Sequence, residues 1–118
     1  MKILVVDDNK LMLEVISHYL MAEGYETSVA EDGFQALDVI QREKIDLIIS
    51  DIMMPNISGL ELLNLLKKFY FNNIPIILIS SLDKKDFIQR SMGLGAIDFV
   101  TKPLDFKNLS RLIKKYVS

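Results

Sequence analysis

Asp7, Asp8, Asp51, Ser80 and Lys102 each stand directly after a short apolar run of this 118-residue chain or within two residues of one. Asp7 and Asp8 follow ILVV, Asp51 follows LIIS, Ser80 follows IILI, and Lys102 comes one residue after DFV. A carboxylate can accept a phosphoryl group as a mixed anhydride, and a metal ion with an ammonium group neutralises the charge on the transferred oxygens. Asp51 is the acceptor candidate. Like charges gathered in one place cannot all ionise at their usual pH unless a cation offsets them, and oxygen ligands with open positions suit Mg²⁺. Asp8, backed by Asp7, would hold that ion. The Ser80 hydroxyl and the Lys102 ammonium would meet the phosphoryl oxygens. Each residue also has a plainer use: Asp7, Asp8 and Asn9 as caps of a first helix, Ser80 and Ser81 as caps of a later one, and Lys102 as a solvated loop lysine. Caps, however, do not require acid on two strands and a hydroxyl and a lysine on the next two.

The elements that must bring these groups together follow from the hydrophobic pattern. Residues 3–6, 47–49 and 76–79 are apolar runs too short for helices and lack polar alternation, so they read as strands covered on both faces, the middle one within a strand over 45–51. Residues 25–30 alternate, as a flanking strand does, and residues 97–100 form a short last strand after Gly93 and Gly95. Helical spacing predicts a first helix over 10–23 through Met12, Val15, Ile16, Tyr19 and Leu20, stopped by Gly24. After a turn at Asp32 and Gly33, a second helix has Ala36, Leu37 and Ile40 as its stripe. A third, over 59–69, carries Leu62, Leu63 and Leu66, with Ser58 as its cap and Asn72, Asn73 and Pro75 as its stop. A fourth, over 83–92, has little to bury beyond Phe87 and Ile88, so loose packing and mobility are expected there. The last runs over 105–116 through Phe106, Leu109, Leu112, Ile113 and Tyr116.

Strands alternating with helices predict an α/β fold, a doubly wound five-stranded parallel sheet in the order 2-1-3-4-5, flavodoxin-like with five helices. In that order the winding reverses between the first and third strands, so Asp7, Asp8 and Asp51 should converge in the switch-point crevice. Ser80 and Lys102 should flank it.

Composition narrows the remaining classes. Half of the residues are hydrophobic, enough for one core, and a single domain over 1–118 is expected. Without cysteine there is no disulfide framework or thiolate metal site. MKILVV leads into a strand instead of a cleavable signal, and the apolar runs are too short to span a bilayer, so a cytoplasmic protein without membrane contact is expected. A net charge of −2 gives no reason to expect direct nucleic-acid binding. His18 has no ligand-type partner at metal spacing and reads as a surface residue, and Met53 and Met54 read as loop packing. Lys107, Arg111, Lys114 and Lys115 make the last helix basic outside its apolar stripe, which reads as a solvated face.

The ordered set ILVVDD, AEDGFQAL, DLIISDIMMPNISGLELL, IPIILIS and GAIDFVTKPLD resembles the receiver domains of bacterial two-component response regulators, essentially end to end. The resemblance implies that Asp51 takes a phosphoryl group from a phosphohistidine of a sensor histidine kinase or phosphotransfer protein. It implies Mg²⁺ held by Asp8, Asp51 and the carbonyl of Met53, Asp7 acting through water, Lys102 and Ser80 on the phosphoryl group, and a cis bond before Pro103. It also implies a switch, in which Ser80 moves toward the phosphoryl group and Phe99 turns inward, changing the face made by the 83–92 helix, the fifth strand and the last helix. That face would control an output protein, or an effector domain of the same protein beyond residue 118. The chain would be a monomer or weak dimer. It would not be an enzyme beyond assisting its own phosphorylation and dephosphorylation.

Two departures have consequences. Phe99 lacks the hydroxyl of the commoner tyrosine, which leaves packing to carry the switch, and Ser81 stands where alanine is usual. Met53 and Leu82 offer no acid or amide to orient water near Asp51, so slow self-dephosphorylation is expected.

Two other families use parts of this set. A phosphatase of the haloacid-dehalogenase type needs a second acid two residues after its nucleophile, where Met53 stands. A flavodoxin-like carrier needs hydroxyls and amides in its first loop, where Asp7 and Asp8 would repel the phosphate.

Overall fold

Strands β1 (Lys2–Val6), β2 (Glu26–Ala30), β3 (Leu47–Asp51), β4 (Ile76–Ser80) and β5 (Asp98–Thr101) form one parallel sheet in a computed structural model of the chain. Their order is β2-β1-β3-β4-β5, as the pattern predicts. The structure describes residues 1–54, 56–68, 74–80, 89, 93 and 98–117. Helices α1 (Lys10–Ala22), α2 (Gly33–Arg42), α3 (Gly59–Lys68) and α4 (Phe106–Val117) cover its two faces. The helix expected over 83–92 lies, apart from Gln89, outside the described residues. So do Pro55, Asn72, Asn73, Ser81, Leu82 and Ile97, and the side chain of Tyr116.

The period of two along a strand explains the unbroken apolar runs. Leu4, Val6, Ile48, Ile76 and Leu78 join the core under α2 and α3, while Ile3, Val5, Leu47, Ile49, Ile77 and Ile79 join the core under α1 and α4. Both faces are dry. Burying such a side chain is worth about 1.5–3 kcal/mol, so these three strands anchor the sheet.

Helix ends are set by short-range chemistry. Asn9 caps α1, its side chain accepting from the N–H of Leu11 and Met12. At the other end Gly24 adopts φ +93°, its N–H donates to Met21 and that of Tyr25 to Leu20, the paired bonds of a left-handed stop. Ser58 and Glu61 make a reciprocal capping box on α3. Asp32 caps α2 and Asp105 caps α4 through their side chains.

Two helical stripes differ from expectation. In α1, Ile16 and Leu20 are buried, but Val15 is 41% exposed and Leu13 with Ser17 faces inward instead. Apolar residues surround that helix, Leu11 and Met21 included, so spacing alone does not select its inner face. In α2 the buried residues are Gly33, Ala36 and Val39, with Leu37 and Ile40 only partly covered. The stripes of α3 and α4 match, through Leu62, Leu63 and Leu66 and through Leu109 and Ile113. His18 is exposed, and no helix among the described residues is long and apolar enough to cross a membrane.

Candidate functional site at the strand ends

Register brings the acids together. Val6 pairs with Ser50, so one further step along both strands sets Asp7 beside Asp51. By the same alternation Ile3, Val5 and Asp7 share a face with Leu47, Ile49 and Asp51, and the next strand but one contributes Val100 and then Lys102. One oxygen from each of Asp7, Asp8 and Asp51 lies within 4.8 Å of the others. Asp7 and Asp51 are 1% and 5% exposed, whereas Asp8 is open to solvent.

Lys102 is the counter-charge. Its Nζ lies 3.2 Å from Asp51 Oδ2 and 3.7 Å from Asp7 Oδ2. Its backbone N–H donates to the Ser80 carbonyl at 2.8 Å, which ties the loop after β5 to the end of β4. The Lys102–Pro103 peptide is cis. Ser80 is fully buried at the end of β4, and Asp51 Oδ1 also accepts from the Met53 N–H at 3.3 Å. Phe99 is partly buried against the core under α2 and α3.

Of Asp7, Asp8 and Asn9, the last alone caps α1. Asp7 turns its carboxylate inward and accepts from the Asn9 N–H at 2.9 Å, and Asp8 takes no part in the cap. Burial pushes the Asp7 carboxyl above its usual range, the Asn9 N–H opposes this, and the charges of Asp51 and Asp8 add to the rise while Lys102 resists it. Loss of water outranks like-charge repulsion here. Among the described residues one shared ammonium faces three acids, two of them buried, and an all-oxygen set with an open side fits a hard divalent cation.

Residues 3–114 match the family described as the response regulator receiver domain. The chain belongs to that family. This receiver domain is 35% identical over 116 residues to sporulation initiation phosphotransferase F of Bacillus subtilis, covering 98% of this chain and 93% of that protein. The receiver domain of Francisella response regulator 1452 superposes with a TM-score of 0.92 at 34% identity, covering 98% and 94% of the two chains. Chemotaxis protein CheY4 of Vibrio cholerae gives 0.90 at 29%, covering 98% of each.

One residue within DLIISDIMMPNISGLELL has a role that the motif itself does not disclose. Gly59 opens α3 with its N–H donating to the Ile52 carbonyl at 2.9 Å, so closely that a Cβ there would meet the Asp51 carbonyl and come within 2.9 Å of Ile52 Cα. Glycine lets the helix sit directly on the strand end that carries Asp51. Its signal in the sequence was a poor helix former immediately after the Ser58 cap.

Proposed function

We propose that this receiver domain is a phosphoacceptor switch in a two-component phosphorelay, with Asp51 as the residue that carries the phosphoryl group. The observation that supports this best is the shared Lys102 ammonium, within 4 Å of both Asp51 and Asp7 at the centre of the sheet. The donor is a phosphohistidine on a sensor histidine kinase or phosphotransfer protein. Its P–N bond breaks, a P–O bond forms at an Asp51 carboxylate oxygen, and the imidazole leaves. Lys102 and the Ser80 hydroxyl bind the transferred oxygens. Asp8, Asp51 and the Met53 carbonyl would hold Mg²⁺, with Asp7 acting through water. When bound, the ion neutralises charge on the phosphoryl oxygens. Leu11 and Met53 are exposed just past the strand ends that carry Asp8 and Asp51, and they give the donor protein an apolar foothold.

Phosphorylation then biases the Ser80 and Phe99 positions, and the face built on β5 and α4 carries the change to an output protein or effector domain. The domain works in the cytoplasm, with no nucleic-acid contact of its own and no catalytic turnover beyond its own phosphorylation and slow dephosphorylation. The test is beryllofluoride binding followed by amide NMR. Mg²⁺-dependent shifts at Asp51, Ser80 and Lys102 that vanish in Asp51→Asn are expected, and shifts that persist in that variant reject the assignment.

A further inference from the structure

At the edge of the sheet farthest from β5, a groove of about 500 Å³ touches Thr27, Ser28 and Val29 of β2. Consecutive strand residues point to opposite faces, so a cavity that meets all three runs along the strand's outer edge. Helices on both faces wall it, α1 through Leu13, Ser17 and Met21, and α2 through Val39 and Arg42. Among the described residues, no strand pairs with the backbone facing this groove. Glu26 donates its N–H to the Met1 carbonyl and the Ala30 carbonyl accepts from Asp7, both across to the β1 side. Alternation in a parallel ladder therefore aims the N–H and C=O of Thr27 and Val29 outward.

Side chains in the groove are unmet as well. Val29 and Met21 are 49% and 55% exposed. The Ser17 hydroxyl, on a residue more than nine-tenths buried, has no hydrogen-bond partner among the described residues. On the α2 side the groove is polar, where Ser28 donates to Glu43, and Arg42 pairs with Asp38.

We propose that this edge binds an extended segment of a partner protein as a sixth strand, with apolar residues turned toward Val29 and Met21 and polar residues toward Ser28 and Arg42. An extended chain offers alternating donors and acceptors at the spacing of the outward groups of Thr27 and Val29. A second copy of this chain does not fit. Both α1 and α2 pack on β2, and pairing two such edges at about 4.8 Å would force helices together that need axes about 8–10 Å apart. The partner segment is thus one without flanking helices. The site lies at the opposite edge of the sheet from β5, so it adds an input that does not pass through the β5 and α4 face.

The probe is an acetylated, amidated seven-residue peptide alternating valine with threonine and ending in lysine, titrated into the full chain and read by amide NMR. Saturable shifts and slowed exchange at Thr27 and Val29 are expected. Val29→Pro removes one outward N–H without touching the β1 pairing, and it should weaken binding at least tenfold. Val29→Ala keeps the N–H and should weaken it less. Phosphorylation of Asp51 in both variants should match the parent, which separates failure here from failure of the switch assignment and shows that the variants fold. No shift at those two amides up to millimolar peptide, equal binding by Val29→Pro, or dimerisation through β2 in sedimentation overturns the proposal.

Discussion

Charged side chains collect at both ends of the sheet, and the two collections are built differently. At the end where the strands begin, Lys2 pairs through its ammonium with Glu43, Glu43 also accepts from Ser28 Oγ at 2.7 Å, and the Lys2 N–H donates to Asp46 Oδ2 at 2.9 Å. Hydrogen bonds from Lys2 and Ser28 hold the Glu43 carboxyl below its usual range. At the end where the strands finish, one ammonium serves two buried acids with a third nearby, and burial pushes Asp7 up. The first cluster is satisfied and joins β1, β2 and the end of α2. The second, among the described residues, is left short of positive charge. Such imbalance destabilises a fold unless a ligand relieves it, which marks the second cluster as a working site.

The largest effect should come from Asp51→Asn, with complete loss of phosphorylation from acetyl phosphate by intact mass, whereas Glu43→Gln should leave it unchanged. Lys102→Ala should slow the reaction by roughly 10²-fold, the scale of losing one positioned donor to developing charge, measured as an initial rate with Mg²⁺ saturating. Gly59→Ala pushes a methyl group against the backbone of Asp51 and Ile52, and about 1–3 kcal/mol of stability should be lost as in other overpacked sites, read by urea denaturation.

Acid should separate the two ends in opposite directions. Asp7 has a folded value raised above its ordinary 3.8, so in chelator the folded state binds the proton more tightly. Its contribution to stability then declines as pH rises from 3.8 through the raised value. Replacement by Asn should raise the melting temperature of metal-free protein at neutral pH, with the gain disappearing in acid. Glu43 is lowered from its ordinary 4.5, so its contribution is present above 4.5 and is lost as pH falls through the folded value. Glu43→Gln should therefore lower the melting temperature slightly at neutral pH and not at all in strong acid. Melting curves of the two variants against pH test both signs.

The same contrast shows what could be read before folding. Asp7, Asp8, Asp51, Ser80 and Lys102 were legible because each follows an apolar run too short to be anything but a strand, and strand ends in a parallel sheet meet. The Lys2, Ser28 and Glu43 cluster was not, since polar residues scattered over a strand start, a mid-strand position and a helix end carry no period. The inward side of α1 is misassigned at Val15, where Leu13 and Ser17 face the core instead. A helix with apolar residues around its whole circumference does not declare which side faces the sheet, and packing on β1 and β2 decides it. Gly59 shows its role only when the carbonyl of Asp51 is seen against it.

Phosphopeptide mapping after transfer from a phosphorylated histidine kinase, with and without Mg²⁺, tests the central claim most directly. One phosphoryl group on Asp51, appearing only with the metal and absent in Asp51→Asn, is predicted. A phosphoryl group on any other residue, or transfer to Asp51 that proceeds equally in chelator, would contradict the account of a charge-starved pocket built to accept it.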